Sequence, residues 1–333
     1  MIKDDKGVIL LVTLWILAIL SLLAIGIGFR RSIELKLAGY QIDSLKAYEI
    51  AKAGVVKAVD ALERDKKTTV DTLRECGITL EENEAFDEKF RNVKVGAGRF
   101  NIACLEDAER KIDINTAPEQ VLRALFSKTP DAAKNVLAWR GSASVNIGDY
   151  SDKPYASKGA SFDTINELLL VKDFTPETFS GDENASGIKD IITVYPKPKS
   201  KEDNAFTVNV NTASEEVLGI LMDAAGFDRT VSKAIADSRT QDNKVFNKPD
   251  EVITFVKSFL PTAEGGGIIP DDQSKLDALQ KWVSCSSNYF IIRSTGTLEY
   301  RKSNINRTIT CIVKREISNA PPHKTEIIGW FEE

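Results

Sequence analysis

From Val8 to Phe29 the chain runs through 22 residues without a charged side chain, reading VILLVTLWILAILSLLAIGIGF. An α-helix rises 1.5 Å per residue, so about 20 apolar residues cross a bilayer core. The segment is predicted to be a transmembrane helix. It is long for the apolar region of a cleaved signal peptide, and Arg30-Arg31 stands where a small-x-small cleavage site would be expected. The pattern then changes without ending. From Arg30 to about Arg64 there is no proline, and glycine occurs only at Gly39 and Gly54. Apolar residues recur at steps of three and four, at Leu35, Ala38, Ile42, Leu45 and at Val56, Val59, while Ala47, Ala51, Val55 and Ala58 continue a stripe. The spacing predicts one helix from Val8 to about Arg64, on the order of 85 Å long. Its inner half lies in lipid, and its outer half is amphipathic and carries a globular head on one face.

Further along, the period drops to two. Arg99 to Leu105 alternates Phe100, Ile102 and Cys104 against polar or small neighbours, a strand pattern. Tyr289 to Leu298 and Arg307 to Arg315 read as two more strands, joined by a polar connection over Tyr300 to Ile305. These predict a small antiparallel sheet packed on the long helix. Between the strands the sequence repeats itself. Lys111-Ile112-Asp113-Ile114-Asn115-Thr116-Ala117-Pro118-Glu119-Gln120-Val121-Leu122 recurs as Thr207-Val208-Asn209-Val210-Asn211-Thr212-Ala213-Ser214-Glu215-Glu216-Val217-Leu218. Each copy reads as strand, cap, helix, with Thr116 or Thr212 as the capping side chain and Glu119 or Glu215 three residues on. Later parts correspond too: Ala138-Trp139-Arg140 with Asp237-Ser238-Arg239, and Phe162 to Leu168 with Phe246 to Val252.

The expected fold class is therefore α+β. Residues 1–7 are a leader, 8–29 a transmembrane helix and 30–112 the first part of a head domain. Residues 113–285 form an inserted, mainly helical domain with repeats at about 113–180 and 209–262, and 286–333 return to the sheet.

Composition narrows the function classes. The 333 residues carry a net charge of −5, which argues against a general nucleic-acid binder. The single histidine, His323, sits in a proline-rich tail read as a solvated loop, with no nucleophile motif near it. No catalytic constellation is visible, and the chain is expected not to be an enzyme. The cysteines, Cys76, Cys104, Cys285 and Cys311, form no CxxC pair, which argues against structural zinc. Four cysteines allow three disulfide connectivities. One stretch has the spacing of a calcium loop: Asp182, Asn184, Ser186, the Ile188 carbonyl and Asp190 would be the ligands, with Gly187 at a turn. The bidentate acid expected three residues later is missing, since that position is Thr193.

Two stretches carry a family resemblance. Gly7-Val8-Ile9-Leu10-Leu11-Val12-Thr13-Leu14-Trp15, preceded by a short polar leader, and Lys46-Ala47-Tyr48-Glu49-Ile50-Ala51-Lys52-Ala53-Gly54-Val55 resemble the general secretion pathway protein K family, the minor pseudopilins K of type II secretion systems. The resemblance implies cleavage by a prepilin peptidase after Gly7 and N-methylation of Val8. Most pilins have glutamate as the fifth mature residue. Here that residue is Val12, and its absence is the mark of a tip subunit. It further implies a single-pass inner-membrane protein with a periplasmic head. Its partners would be minor pseudopilins I and J, the major pseudopilin and the inner-membrane secretion platform, and calcium is a cofactor of some relatives. A periplasmic head favours two disulfides, Cys76 with Cys104 and Cys285 with Cys311 being the simplest pairing. The charges flanking the anchor, with Lys3 and Lys6 offset by Asp4 and Asp5 and with Arg30-Arg31 outside, do not follow a positive-inside count.

The duplicated segment resembles degenerate helix-hairpin-helix (SAM-like) repeats. Since many of these bind DNA, the alternative is a membrane-anchored DNA-binding protein of a DNA-uptake or type IV pilus system. The hairpin stretches weigh against it, because Leu125 to Asp131 has no glycine and Ala224 to Arg229 has one, beside Asp228.

Overall fold

The computed structural model describes residues 5–77, 84–129, 131–141, 153–182, 186–196, 206–260, 270–300 and 303–333. Helix α1 runs unbroken from Asp5 to Glu63. It ends where the C-terminal segment meets it: the His323 amide donates to the Glu63 carbonyl at 2.7 Å, and His323 Nε2 lies 2.8 Å from the Asp65 carbonyl. His323 is thus a buried link between the tail and the helix end, not part of a solvated loop. The proline-rich stretch is fixed by this contact and by the Ser318 amide, which donates to His323 Nδ1.

From Val8 to Ile42 the large apolar side chains of α1 are exposed on every side. From Ala47 onward one face is buried, at Ala47, Ile50, Ala51, Val55, Ala58 and Leu62. Leu45 and Val56, apolar in the sequence pattern, lie on the opposite, exposed face. The docked face consists mostly of small residues because the sheet approaches closely.

That sheet has five antiparallel strands in the order β1-β2-β7-β8-β9. Helix α2, Glu84–Phe90, leads into β1, Val93–Val95, and β2, Gly98–Asp107, with a bulge between Ile102 and Leu105. After the insertion come β7, Tyr289–Tyr300, β8, Ser303–Glu316, and the edge strand β9, Lys324–Glu332. Phe100, Ile102, Phe290, Ile292, Ile309, Cys311 and Val313 face α1 and form one hydrophobic core.

The insertion forms a second core. Its first unit opens on β3, Ile112–Asp113, passes through α3, Glu119–Leu125, α4, Ala132–Trp139, a 3-10 turn at Ile165–Leu170 and α5, Pro176–Ser180, and closes on β4, Ile192–Thr193. The second opens on β5, Val208–Asn209, passes through α6, Glu215–Ala225, α7, Thr230–Gln241, α8, Pro249–Lys257 and α9, Pro270–Trp282, and closes on β6, Val283–Ser284. In each unit the opening and closing strands pair in parallel, β3 with β4 and β5 with β6. The matching helices α3 and α6 pack on each other, which joins the two units through equivalent faces.

Candidate functional site

The repeated Asn-Thr-Ala signature acquires a structural meaning. In the first unit the Asn115 amide nitrogen donates to the carbonyls of Phe162 and Val194, both at 3.1 Å, and its oxygen accepts the Phe162 amide at 2.7 Å. In the second, Asn211 donates to the carbonyls of Phe246 and Cys285 and accepts the Phe246 amide at 3.0 Å. One buried side chain thus ties the opening strand, the later Phe and the closing strand of its own unit. Arg140 donates to the carbonyls of Ile114 and Ala117, and Arg239 donates to Val210, so the matching arginines lie against the repeats' own backbone. Burial lowers both, Arg239 to about 10. Replacing Asn211 with alanine strands buried backbone groups on two elements and is expected to cost about 2–4 kcal/mol. Asn115→Ala should cost a similar amount, and denaturant unfolding of each variant checks the equivalence.

The threonines have another role than capping. The N-cap positions are Pro118, which makes no side-chain cap, and Ser214, whose hydroxyl accepts the Val217 amide. Thr116 instead donates to Asp113 at 2.5 Å, and Thr212 donates to Asp107 at 2.5 Å. Asp107 lies at the end of β2, so this bond crosses from the insertion to the sheet.

Around it lies a buried polar junction. Asp107 also accepts from Asn209 Nδ2 at 3.0 Å, the Ser287 hydroxyl at 2.7 Å and the Glu109 amide at 2.8 Å. Asn209 donates further to the Asp71 carbonyl and to Ser287 Oγ. Arg315, on β8, has a side chain with 0% exposure. It reaches Asp65 at 2.8 Å, Asp71 with both oxygens within 3.0 Å, and the Ser287 carbonyl at 2.8 Å. Its guanidinium carbon lies 4.8 Å from the centre of the Phe290 ring. Glu109, also buried, accepts the Asn288 amide. Loss of solvation raises Asp107, Asp71 and Glu109, the last to about 8, and Arg315 pulls Asp71 back down. These residues were not legible in the sequence, since their partners lie up to 250 positions away and leave no local pattern.

Of the residues proposed from sequence, Val8 and Val12 are exposed on α1, and Gly7 lies within the helix, whose first described residue is Asp5. The span of α1 from Val8 onward is long and apolar enough to cross a membrane. All four cysteines are free thiols; Cys76, Cys285 and Cys311 are buried and Cys104 is partly exposed. Cys285 belongs to the core of the insertion and Cys311 to the core of the sheet, so the neighbour pairing Cys285–Cys311 is not made. Cys76 and Cys104 are close in the fold, because the Leu105 amide donates to the Cys76 carbonyl at 2.9 Å.

In the calcium-loop stretch, Asn184 lies outside the described residues. Asp182, Ser186 and Asp190 are exposed, and the Ile188 carbonyl accepts the Ile191 amide at 3.1 Å. Gly187 has no left-handed backbone. It is glycine because a side chain there would strike the backbone of Phe179, Ser180 and Gly181. Among the described residues no group of three or more His, Cys, Asp or Glu side chains is gathered for a metal.

The second hairpin is closed on itself. Gly226 caps α6 in the left-handed region, the Asp228 carboxylate accepts the Thr230 amide at 2.7 Å, and Arg229 pairs with Asp223. A carboxylate therefore occupies the amide that a phosphate would use at the start of α7.

No protein-family model matches the chain, and no curated protein matches it in sequence. Among solved structures the chain is similar to a chain of the GspK-GspI-GspJ complex of the type 2 secretion system of enterotoxigenic Escherichia coli. The TM-score is 0.58 at 15% identity, over 91% of this chain and 99% of that one. The likeness is one of fold. A long apolar helix, an antiparallel sheet and a helical insertion are arranged as in a pseudopilin of that kind.

Proposed function

We propose that the chain is a minor pseudopilin that caps the tip of a type II secretion pseudopilus and acts in assembly, not catalysis. The observation that carries this reading is the fold likeness, which takes in 91% of this chain and 99% of the other. The bare apolar surface of α1 from Val8 to Ile42 supports it, since such a surface calls for lipid below and neighbouring helices above. The proposed setting is an inner-membrane anchor with a periplasmic head. The proposed partners are minor pseudopilins I and J above a major pseudopilin, together with the secretion platform. Val12, at the fifth position after cleavage, lacks the carboxylate that would pair with the N-terminal amine of a subunit above, and this suits a subunit with none above it.

The test is intact-mass and N-terminal mapping of the protein from its native membrane. Loss of Met1 to Gly7 with a methyl group on Val8 supports the proposal, and an uncut N-terminus overturns it. The DNA-binding alternative gains nothing from the closed second hairpin. Salt-dependent DNA retention by the protein, lost on mutation of Asp228 and Arg229, would revive it.

Two site proposals accompany this reading. In an oxidising compartment Cys76 and Cys104 form a disulfide, seen as a loss of two mass units reversed by reductant. Calcium binds the 182–190 loop through Asp182, Asn184, Ser186, the Ile188 carbonyl and Asp190. At a hundredfold excess over its dissociation constant it stabilises the head by about 2.7 kcal/mol. An unfolding midpoint that ignores both calcium and chelator removes this second proposal.

A further inference from the structure

The two units of the insertion match in sequence but not in charge. In the first, Arg140 donates to the Ile114 and Ala117 carbonyls with Asp113 within electrostatic reach. In the second, Arg239 donates to the Val210 carbonyl at 2.5 Å, but Asn209 stands in the place of Asp113. Among the described residues Arg239 makes no ion pair, and its Nε is buried without a partner. The charge within its reach is another arginine, Arg110.

Arg110 ends the short 3-10 turn Ala108–Arg110, which follows β2 and packs against β5 and β7. Arg293 lies in β7 opposite the bulge at Ala103 and Cys104. Its neighbours Ile292 and Ser294 are buried, so strand alternation turns Arg293 to the face of the sheet away from α1, where it is exposed. Arg91 reaches the same bulge and donates to the Ala103 carbonyl at 3.2 Å. The Cys104 thiol is within electrostatic reach of Arg91, Arg110 and Arg293 alike. The acids at hand are already engaged: Asp87 pairs with Arg91, Glu106 pairs with Lys111, and Glu109 accepts the Asn288 amide. Among the described residues the side chains of Arg110 and Arg293 make no hydrogen bond and no ion pair.

We propose that Arg293, Arg110 and Arg239, running from the outer face of the sheet onto the second unit of the insertion, form a docking surface for a carboxylate-rich segment of a partner protein. The proposal does not depend on the role in secretion. Three guanidinium groups without an acid stand together on a chain whose net charge is −5. Arg110 and Arg239 repel each other, and this local cost to the fold has no return within the chain. Arginine is the residue whose planar fork fits a carboxylate with two hydrogen bonds. A short acidic segment would meet only these arginines, whereas a long polyanion such as DNA would also meet the chain's excess negative charge.

The experiment uses the full chain in detergent micelles and a fluorescently labelled hexaglutamate peptide, read by anisotropy. Arg110→Gln with Arg293→Gln should weaken binding about tenfold, two exposed ion pairs being worth roughly that factor together. Lys52→Gln with Lys57→Gln removes the same net charge from exposed positions on α1, across the sheet, and should change binding by less than about twofold. Thermal unfolding gives the second readout. Since Arg110 and Arg293 hold nothing within the chain, the double arginine variant should unfold at the same temperature as the parent or higher, as expected where stability is given up for binding. Four results overturn the proposal: a parent that does not bind the peptide, an equal loss in the two double variants, a lowered unfolding temperature in the arginine variant, or a short DNA duplex bound more tightly than the peptide, which would make the patch a nucleic-acid surface.

Discussion

Arg315→Met is expected to lower the unfolding free energy by about 3–5 kcal/mol, among the largest losses a single substitution in the head can cause. The methionine fills much of the volume, so the cost is electrostatic. The arginine side chain has 0% exposure, and Asp71 beside it has 7%. Without the guanidinium Asp71 keeps the Ser287 amide, at 2.8 Å, but loses the counter-charge of Arg315. Asp65, 29% exposed, turns to water at little cost. The stranded Asp71 must then hold a proton to stay buried. Its folded value moves further above the unfolded one, and the variant becomes less stable as pH rises from about 4 through neutrality. Removing the charge at both ends separates this account from a simple packing defect. Arg315→Met with Asp71→Asn leaves no unpaired ion and should recover most of the loss. Arg315→Lys keeps the charge but cannot span Asp65, Asp71 and the Ser287 carbonyl together, so it should fall between. Denaturant unfolding at two pH values reads all three, and a double variant as unstable as Arg315→Met would disprove the ion-pair explanation.

The buried pair also shows where sequence reasoning stopped. The long helix was legible because its signal is local and redundant: 22 apolar positions followed by a three-four stripe with no proline. Even its end was fixed within a residue or two, Glu63 against about Arg64. The strands at Gly98–Asp107, Tyr289–Tyr300 and Ser303–Glu316 were legible because one face of each is buried against α1 and alternates in sequence. Strand β9 was not. It is an edge strand with Ile327 and Phe331 half exposed and a bulge opposite Ile312 and Val313, so its alternation is broken. The closing strands β4 and β6 are two residues each, too short for any period.

At the candidate site the limit was distance along the chain. Thr212 looked like a cap because a threonine before a helix usually is one. It bonds to Asp107 instead, 105 residues away. The duplication did reveal Asn115 and Asn211 as matched positions, but only the fold shows that each one sutures the two ends of its own unit. The units differ where Asp113 in one answers to Asn209 in the other. Asp113 bonds within its own turn and is pushed by burial to about 7, whereas Asn209 reaches out to the sheet. The insertion is therefore fastened through its second unit, a difference that the alignment of the repeats exposed without explaining.

Gly296→Ala should be as damaging as the loss of Arg315, for a steric reason further along the seam between α1 and the sheet. Gly296 lies in β7, paired with Phe100 on one side and Arg307 on the other, so it cannot move alone. A methyl group there would fall inside contact distance of the Ala47 carbonyl oxygen and the Ala51 amide nitrogen of α1. These are backbone atoms of a helix, and no rotamer change can relieve the overlap. Helix and sheet must part, and Ile50, Val55, Ala58 and Leu62 lose part of their burial along the seam. A loss of at least about 4 kcal/mol is expected, at the upper end for overpacked cores. Two other glycines give the comparison its force. At Gly329 on β9 a methyl group meets the flexible ends of Ile312 and Phe331, which can turn aside, so Gly329→Ala should cost about 1–2 kcal/mol. At Gly39 in α1 nothing lies within 4 Å, and alanine is the better helix former by about 1 kcal/mol, so Gly39→Ala should be neutral or stabilising. Thermal unfolding in one detergent, with tryptophan fluorescence as the probe, orders the three variants. If Gly296→Ala unfolds no more easily than Gly329→Ala, the seam is not as close as described. The small residues Ala47, Ala51 and Gly54 would then owe their place to the helix alone and not to the sheet pressed against it.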